Sequence, residues 1–88
     1  MDADTHTDVL KRLSYIEGHL NGIRRMIEED TYCVDVLKQT YAVRRAIEKM
    51  EAKMLEGHLH HCVLDAIRAG HPEESLAELV DLYRVANK

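Results

Sequence analysis

Phenylalanine and tryptophan are absent from this chain, proline occurs once and cysteine twice. Without large aromatics a core must come from Leu, Ile, Val, Met and Ala, which suits helix packed on helix. Long apolar runs are missing too: no stretch of 18 apolar residues exists, so nothing is expected to span a bilayer. The opening residues, MDADTHTDVL, are acidic and lack the apolar segment of a secretion signal. The cytoplasm is therefore the expected compartment, where thiols stay reduced. Two cysteines there read as ligands, sensors or core residues rather than as a disulfide.

A surplus of positive charge is lacking as well. Twelve Lys and Arg face sixteen Asp and Glu, a net of −4, which alone argues against a nucleic-acid partner. The distribution softens this. Residues 9–55 hold nine basic against seven acidic side chains, and the surplus acids gather at the two ends. A basic face is allowed, and symmetry in an oligomer would repeat it. Size points to an oligomer independently, since a helical monomer of 88 residues buries little apolar surface.

What the chain does have is helical periodicity. Val9, Leu13, Ile16, Leu20, Ile23 and Ile27 step by four and three in alternation, the seam of a packed helix. Thr5-His6-Thr7-Asp8 fits a capping box, so this helix is expected to start near Thr5 to Asp8, with residues 1–6 as an arm. Gly18 and Gly22 suggest close backbone approach by a neighbour. Asp30 or Thr31 can cap a second helix. Its stripe runs Cys33, Val36, Thr40, Val43, Ile47, Met50, Met54, then on through Leu55, Leu59, Val63 and Ile67. Gly70 and Pro72 end it, at about residue 69. A third helix over about 72–86 places Leu76, Leu79, Val80 and Tyr83 on one face. The expected fold is all-α, one domain over residues 1–88, a three-helix protomer with a long second helix. That helix, about 57 Å long, cannot be covered by its own chain. Pairing with a second copy into an antiparallel four-helix bundle is the expected remedy.

His58 and Cys62 lie four apart, a spacing that puts two side chains on one helix face within reach of one metal ion. Cys33 stands 25 residues earlier. On a straight helix this is about 37 Å, too far for a shared site. An antiparallel partner crossing near residues 45–48 would bring Cys33 of one copy to His58 and Cys62 of the other, giving two sites per dimer. Two thiolates and an imidazole are soft donors, which favour copper(I) or zinc. Three donors suit trigonal copper(I), whereas zinc would want a fourth. A surface His beside a buried Cys is the plainer reading of the same residues. His60 reads as exposed, His61 as packed near the stripe, His6 as part of the arm and His71 as a turn residue. Met26, Met50 and Met54 read as core.

Arg45, Lys49 and Lys53 form one row on the second helix, and Lys11-Arg12 and Arg24-Arg25 lie on the first. These could face DNA, or form a solvated face paired with Glu48 and Glu51. No helix-turn-helix, ribbon or zinc module is visible. Nor is there a nucleophile with a base and an orienting group, so an enzyme is not expected.

The segments Arg12-Leu13, Ile16-Glu17-Gly18-His19-Leu20, Gly22-Ile23 and Arg25-Met26-Ile27-Glu28 resemble the first helix of the copper-sensitive operon repressor family. Tyr32-Cys33-Val34-Asp35-Val36-Leu37-Lys38-Gln39, Ala42-Val43 and His58-Leu59-His60-His61-Cys62 extend the resemblance over nearly the whole chain. It implies an all-α dimer that pairs into a tetramer. It implies a repressor that binds operator DNA without metal and is released by copper(I) at Cys33, His58 and Cys62. It further implies that Tyr32 and Glu78 support the site, Glu78 accepting the free imidazole N–H of His58, and that Arg12 and Lys49 contact DNA. Nickel and cobalt sensors of the family carry His where this chain has Cys62, and persulfide sensors lack the histidine at His58, so the copper branch is expected. Ser14, Tyr15 and Glu17 occupy a stretch that is often more basic in the family. Two alternatives stay open: a thiol or persulfide sensor of the same fold, and a helical copper-binding or buffering protein without a DNA partner.

Overall fold

The computed structural model describes all residues from Met1 to Lys88, and every element is helical. Helix α1 spans Ala3–Glu28 and α2 spans Cys33–Gly57. A π-helical turn, His58–Val63, leads into α3, Leu64–Arg68, and α4 covers Pro72–Ala86. Gly57, His58, Val63 and Leu64 all keep right-handed helical dihedrals, so α2, the π turn and α3 run on as one rod. This is the long second helix that the apolar stripe predicts. The all-α, three-helix arrangement is as expected.

Helix ends depart from the sequence reading in two places. Helix α1 starts before Thr5, because Asp2 is its N-cap and accepts a hydrogen bond from the Thr5 N–H at 3.1 Å. A carboxylate there satisfies one of the helix's free donors and suits its positive end. Residues 3–6 are therefore the first turn of α1 rather than an arm, and Asp8 instead holds Arg12 Nε at 3.0 Å. At the other end Asp30 adopts φ 56°, and the Thr31 N–H donates to the Met26 carbonyl at 2.9 Å. That is a left-handed closure of α1, and a short acidic side chain tolerates it. Neither Asp30 nor Thr31 caps α2; Tyr32 holds that position with no side-chain hydrogen bond. The stop at Gly70 is as the sequence predicts. Gly70 sits at φ 83°, the His71 N–H donates to the Ala66 carbonyl at 2.8 Å, and Pro72 opens α4.

Helices α1 and α2 form an antiparallel hairpin whose buried residues are Ile16, Ile23 and Val43, flanked by Val36, Ala46, Ile47 and Met50. Near the turn, His19 Nε2 and Gln39 Oε1 meet at 2.7 Å. The α1 seam is split between two duties. Ile16 and Ile23, seven apart, face α2. Leu13, Leu20 and Ile27, also seven apart, stay exposed at 37%, 48% and 60%. Helix α4 packs on α3 and makes no extended contact with the hairpin.

The protomer is accordingly long and thin, 56 × 30 × 14 Å, with a radius of gyration of 17.3 Å, against about 12 Å for a compact chain of this length. It exposes 7031 Å². A compact monomer of 10.1 kDa would expose roughly 5,300 Å².

Within the protomer close backbone approach occurs, but not at Gly18 or Gly22, where an added Cβ would meet nothing of the same chain within 4 Å. It occurs at Gly57, where a Cβ would lie 2.6 Å from Thr5 Oγ1 and 3.2 Å from Thr5 Cβ. Helix α1 thus seats its first turn directly on the end of α2. Gly57→Ala gains about 1 kcal/mol of helix propensity but forces an overlap costing about 1–3 kcal/mol. A net loss of stability is expected, visible as a fall of about 5 °C in Tm at fixed protein concentration.

Candidate metal centre and nucleic-acid interface

The π turn is what places His58 and Cys62. The apolar stripe runs on through Leu55, Leu59 and Val63 in steps of four, with no break that marks the turn. An i→i+5 turn takes up one extra residue within a helix. The half-buried positions follow suit, stepping by five from His58 to Val63. Residues four apart nearly complete one such turn, so His58 and Cys62 remain on one side of it. His58 is half-buried, whereas Cys62 is exposed.

Cys33 is the first residue of α2, also exposed, and neither cysteine is in a disulfide. The 25 residues of α2 separate it from the π turn, about 37 Å of helix. No group of three His, Cys, Asp or Glu within the chain is placed to hold a metal ion. One protomer therefore presents the soft donors as a pair at one end of α2 and a single thiol at the other. As a donor set they fit copper(I): two free thiols and one imidazole. Tyr32 is 67% exposed next to Cys33, and Glu78 is exposed on α4. Within the protomer neither makes a side-chain hydrogen bond to His58.

The cations divide in an instructive way. Lys11 and Arg12 of α1 and Arg45 and Lys49 of α2 line one open groove with Asp8, Tyr15, Ala42 and Ala46. Arg12, Arg45 and Lys49 are thus brought together. Lys53 is not part of this groove. It lies in the next crevice, beside Asp4, Asp8, Glu56, His60 and His61, and its Nζ is 3.9 Å from Glu56. The groove has the chemistry to follow a phosphate backbone, with Asp8 offsetting part of the charge of Arg12.

Sequence reasoning missed the contact between the chain's start and the π turn. His61 is exposed rather than packed, and its Nε2 lies 3.5 Å from Asp2 Oδ1. Hydrogen bonds from Thr5 hold the Asp2 carboxyl below the usual carboxylate range, and His61 adds a smaller electrostatic pull. An acidic residue three before Thr5 was the available signal for the cap; nothing in the sequence pointed to His61.

Known proteins match this arrangement closely. The model of the metal-sensitive transcriptional repressor family matches residues 5–85. The copper-sensing transcriptional repressor CsoR of Bacillus subtilis is 44% identical over 80 residues, covering 91% of this chain and 79% of that protein. CsoR of Mycobacterium tuberculosis is 46% identical over 72 residues, covering 82% of this chain and 60% of that longer protein. Among solved structures, the copper-sensing repressor CsoR with Cu(I) from Geobacillus thermodenitrificans aligns at TM-score 0.94 and 38% identity, covering 100% of this chain and 92% of the other. The nickel-responsive transcriptional regulator InrS aligns at TM-score 0.77, also at 38% identity, covering 89% of each chain. With the family model matched over residues 5–85, the chain belongs to the metal-sensitive transcriptional repressor family.

Proposed function

We propose that this protein is a copper(I)-responsive repressor of the cytoplasm, binding operator DNA without metal and releasing it when copper(I) is bound. The observation that carries the reading is the division of three soft donors between the ends of α2, on a protomer too thin to be complete. Its accessible surface exceeds that of a compact monomer by roughly 1,700 Å². That is about twice the ~800 Å² each partner contributes to a standard interface, room for a dimer that pairs into a tetramer. In an antiparallel dimer, Cys33 of one protomer would join His58 and Cys62 of the other. Cys33, His58 and Cys62 would hold copper(I), which would then link the two protomers. Tyr32 and Glu78 would support the imidazole, Glu78 accepting its free N–H and so linking α4 to the site.

The copper-sensing relatives at 44–46% identity point to copper, and the donors agree. Two thiolates and one imidazole favour copper(I), since nickel(II) prefers a tetragonal set richer in nitrogen and oxygen. A 100-fold loss of DNA affinity on loading requires only about 2.7 kcal/mol of coupling. Two exposed free thiols also fit a thiol-oxidising or persulfide signal. A response to polysulfide that survives His58→Ala, with no response to copper, would favour that reading.

DNA is held, in this reading, by phosphate contacts from Arg12, Arg45 and Lys49, with Lys53 at the margin. Arg12→Ala and Lys49→Ala are each expected to weaken binding of the metal-free protein to duplex from upstream of its own gene. The plot of log affinity against log salt should flatten by about one for each phosphate no longer neutralised. Fluorescence anisotropy across a salt series checks this. A variant slope equal to that of the unmodified protein removes the groove from the DNA interface.

A further inference from the structure

The start of α1 meets the end of α2 and the π turn at two places, and both are immediate neighbours of the proposed ligands. Thr5 sits on Gly57, next to His58, and Asp2 faces His61, next to Cys62. The first contact has no slack, since not even a Cβ fits between the helices. The second is unfinished. Asp2 Oδ2 caps the helix, while Oδ1 is shut away from solvent without a hydrogen-bond partner, His61 Nε2 being 3.5 Å off. A buried acceptor short of its donor costs free energy that a small shift of the donor would recover. On the same side of α1, one turn further on, Asp8 holds Arg12 at 3.0 Å.

We infer that Asp2, acting through His61, is a positioning residue that joins the π turn to the first turn of α1, so that occupancy of His58 and Cys62 is transmitted along α1 to Arg12. The inference rests on the copper reading above and adds to it the route within one protomer. Ligation fixes the rotation of the π turn. Gly57 cannot absorb that rotation because Thr5 is already in contact. The His61 ring therefore moves against Asp2, and the capped first turn of α1 moves with it. Asp8 and Arg12 stand on the turns of α1 that follow, so the groove changes shape without any contact between the metal and DNA. Neutral His61 can donate its Nε2–H to the carboxylate, so the link does not require a charged imidazole.

The test compares the full-length unmodified protein with Asp2→Ser, His61→Leu and the double variant. Serine keeps an oxygen for the Thr5 N–H but has no second oxygen to reach His61. Circular dichroism should show unchanged helix content. Anaerobic chelator competition should give copper(I) affinities within about threefold of the unmodified protein, since no ligand is touched. Amide exchange in residues 3–12 should change on copper loading in the unmodified protein and not in the variants. The ratio of metal-free to loaded DNA affinity should fall about fivefold in each single variant, and no further in the double. Copper binding to the unmodified protein without any change in residues 3–12 overturns the inference and leaves the copper reading intact. So does full release by the variants, additivity in the double variant, or a tenfold loss of copper affinity in Asp2→Ser. An unmodified protein that binds no copper(I) sinks both.

Discussion

Cys33→Ala and His58→Ala proteins are expected to lose about a hundredfold or more in copper(I) affinity while binding DNA as tightly as the unmodified protein. Groups that merely support a metal ligand cost 10–100-fold when removed, and loss of one of three direct donors should exceed that. The fold has little to lose at Cys33, which is exposed at the start of α2, far from Ile16, Ile23 and Val43. Exposed substitutions of this kind shift stability by about 0.5 kcal/mol or less. His58 is half-buried in the π turn, and its ring is not part of the hairpin core. The informative result is the combination of three readings. Copper affinity should collapse, metal-free DNA binding should persist, and copper should no longer release the DNA. If both variants fail to bind DNA without metal, Cys33 and His58 are structural and the sensing assignment is lost. If only Cys33→Ala matters, the thiol-sensing alternative gains.

Much of this molecule is written in period and spacing. The three-four steps from Val9 to Ile27 and from Cys33 to Met54 define two helices, and Gly70-His71-Pro72 separates the third. Such signals survive because they are local: a helix face repeats whatever packs on it. The proposed donor set rests on signals of the same kind, the spacing of His58 and Cys62 and the register of Cys33 in the stripe. What the sequence hid depends on two segments meeting. Thr5-x-x-Asp8 and Asp2-x-x-Thr5 are both plausible caps. The choice falls to Asp2 because α1 lies against Gly57 and the π turn, with Asp2 facing His61. Gly18 and Gly22 looked like points of close approach, yet the glycine that a neighbour presses upon is Gly57. The row Arg45, Lys49, Lys53 was regular on paper. It divides in space because the partners that α1 supplies change along α2, from Lys11 and Arg12 to Asp4 and Thr5, with Asp8 bordering both. The turn over His58–Val63, the one turn that is not α-helical, left no mark in the spacing of the apolar stripe.

A mixture of two dead proteins should recover copper binding. Cys33→Ala protein lacks the single thiol at one end of α2, and a His58→Ala, Cys62→Ala double variant lacks the pair at the other. Neither should bind copper(I) tightly alone. In a dimer built from one of each, one site combines the intact Cys33 of the double variant with the intact His58 and Cys62 of its partner. The other site lacks all three donors. Random pairing of equal amounts makes half the dimers mixed, so a two-fold symmetric shared site predicts about a quarter of a tight site per protomer. Unfolding and refolding the two together, then titrating anaerobically against a chelator, would read this directly. A site contained within one protomer recovers nothing on mixing, because no single chain in the mixture carries all three donors. The length of α2 makes that second outcome hard to reconcile with a straight helix, since Cys33 and Cys62 of one chain lie at its opposite ends. Recovery near a quarter would therefore fix both the ligand set and the antiparallel pairing. A return of copper-dependent DNA release in the same mixture would show that one occupied site per dimer is enough to shift the equilibrium.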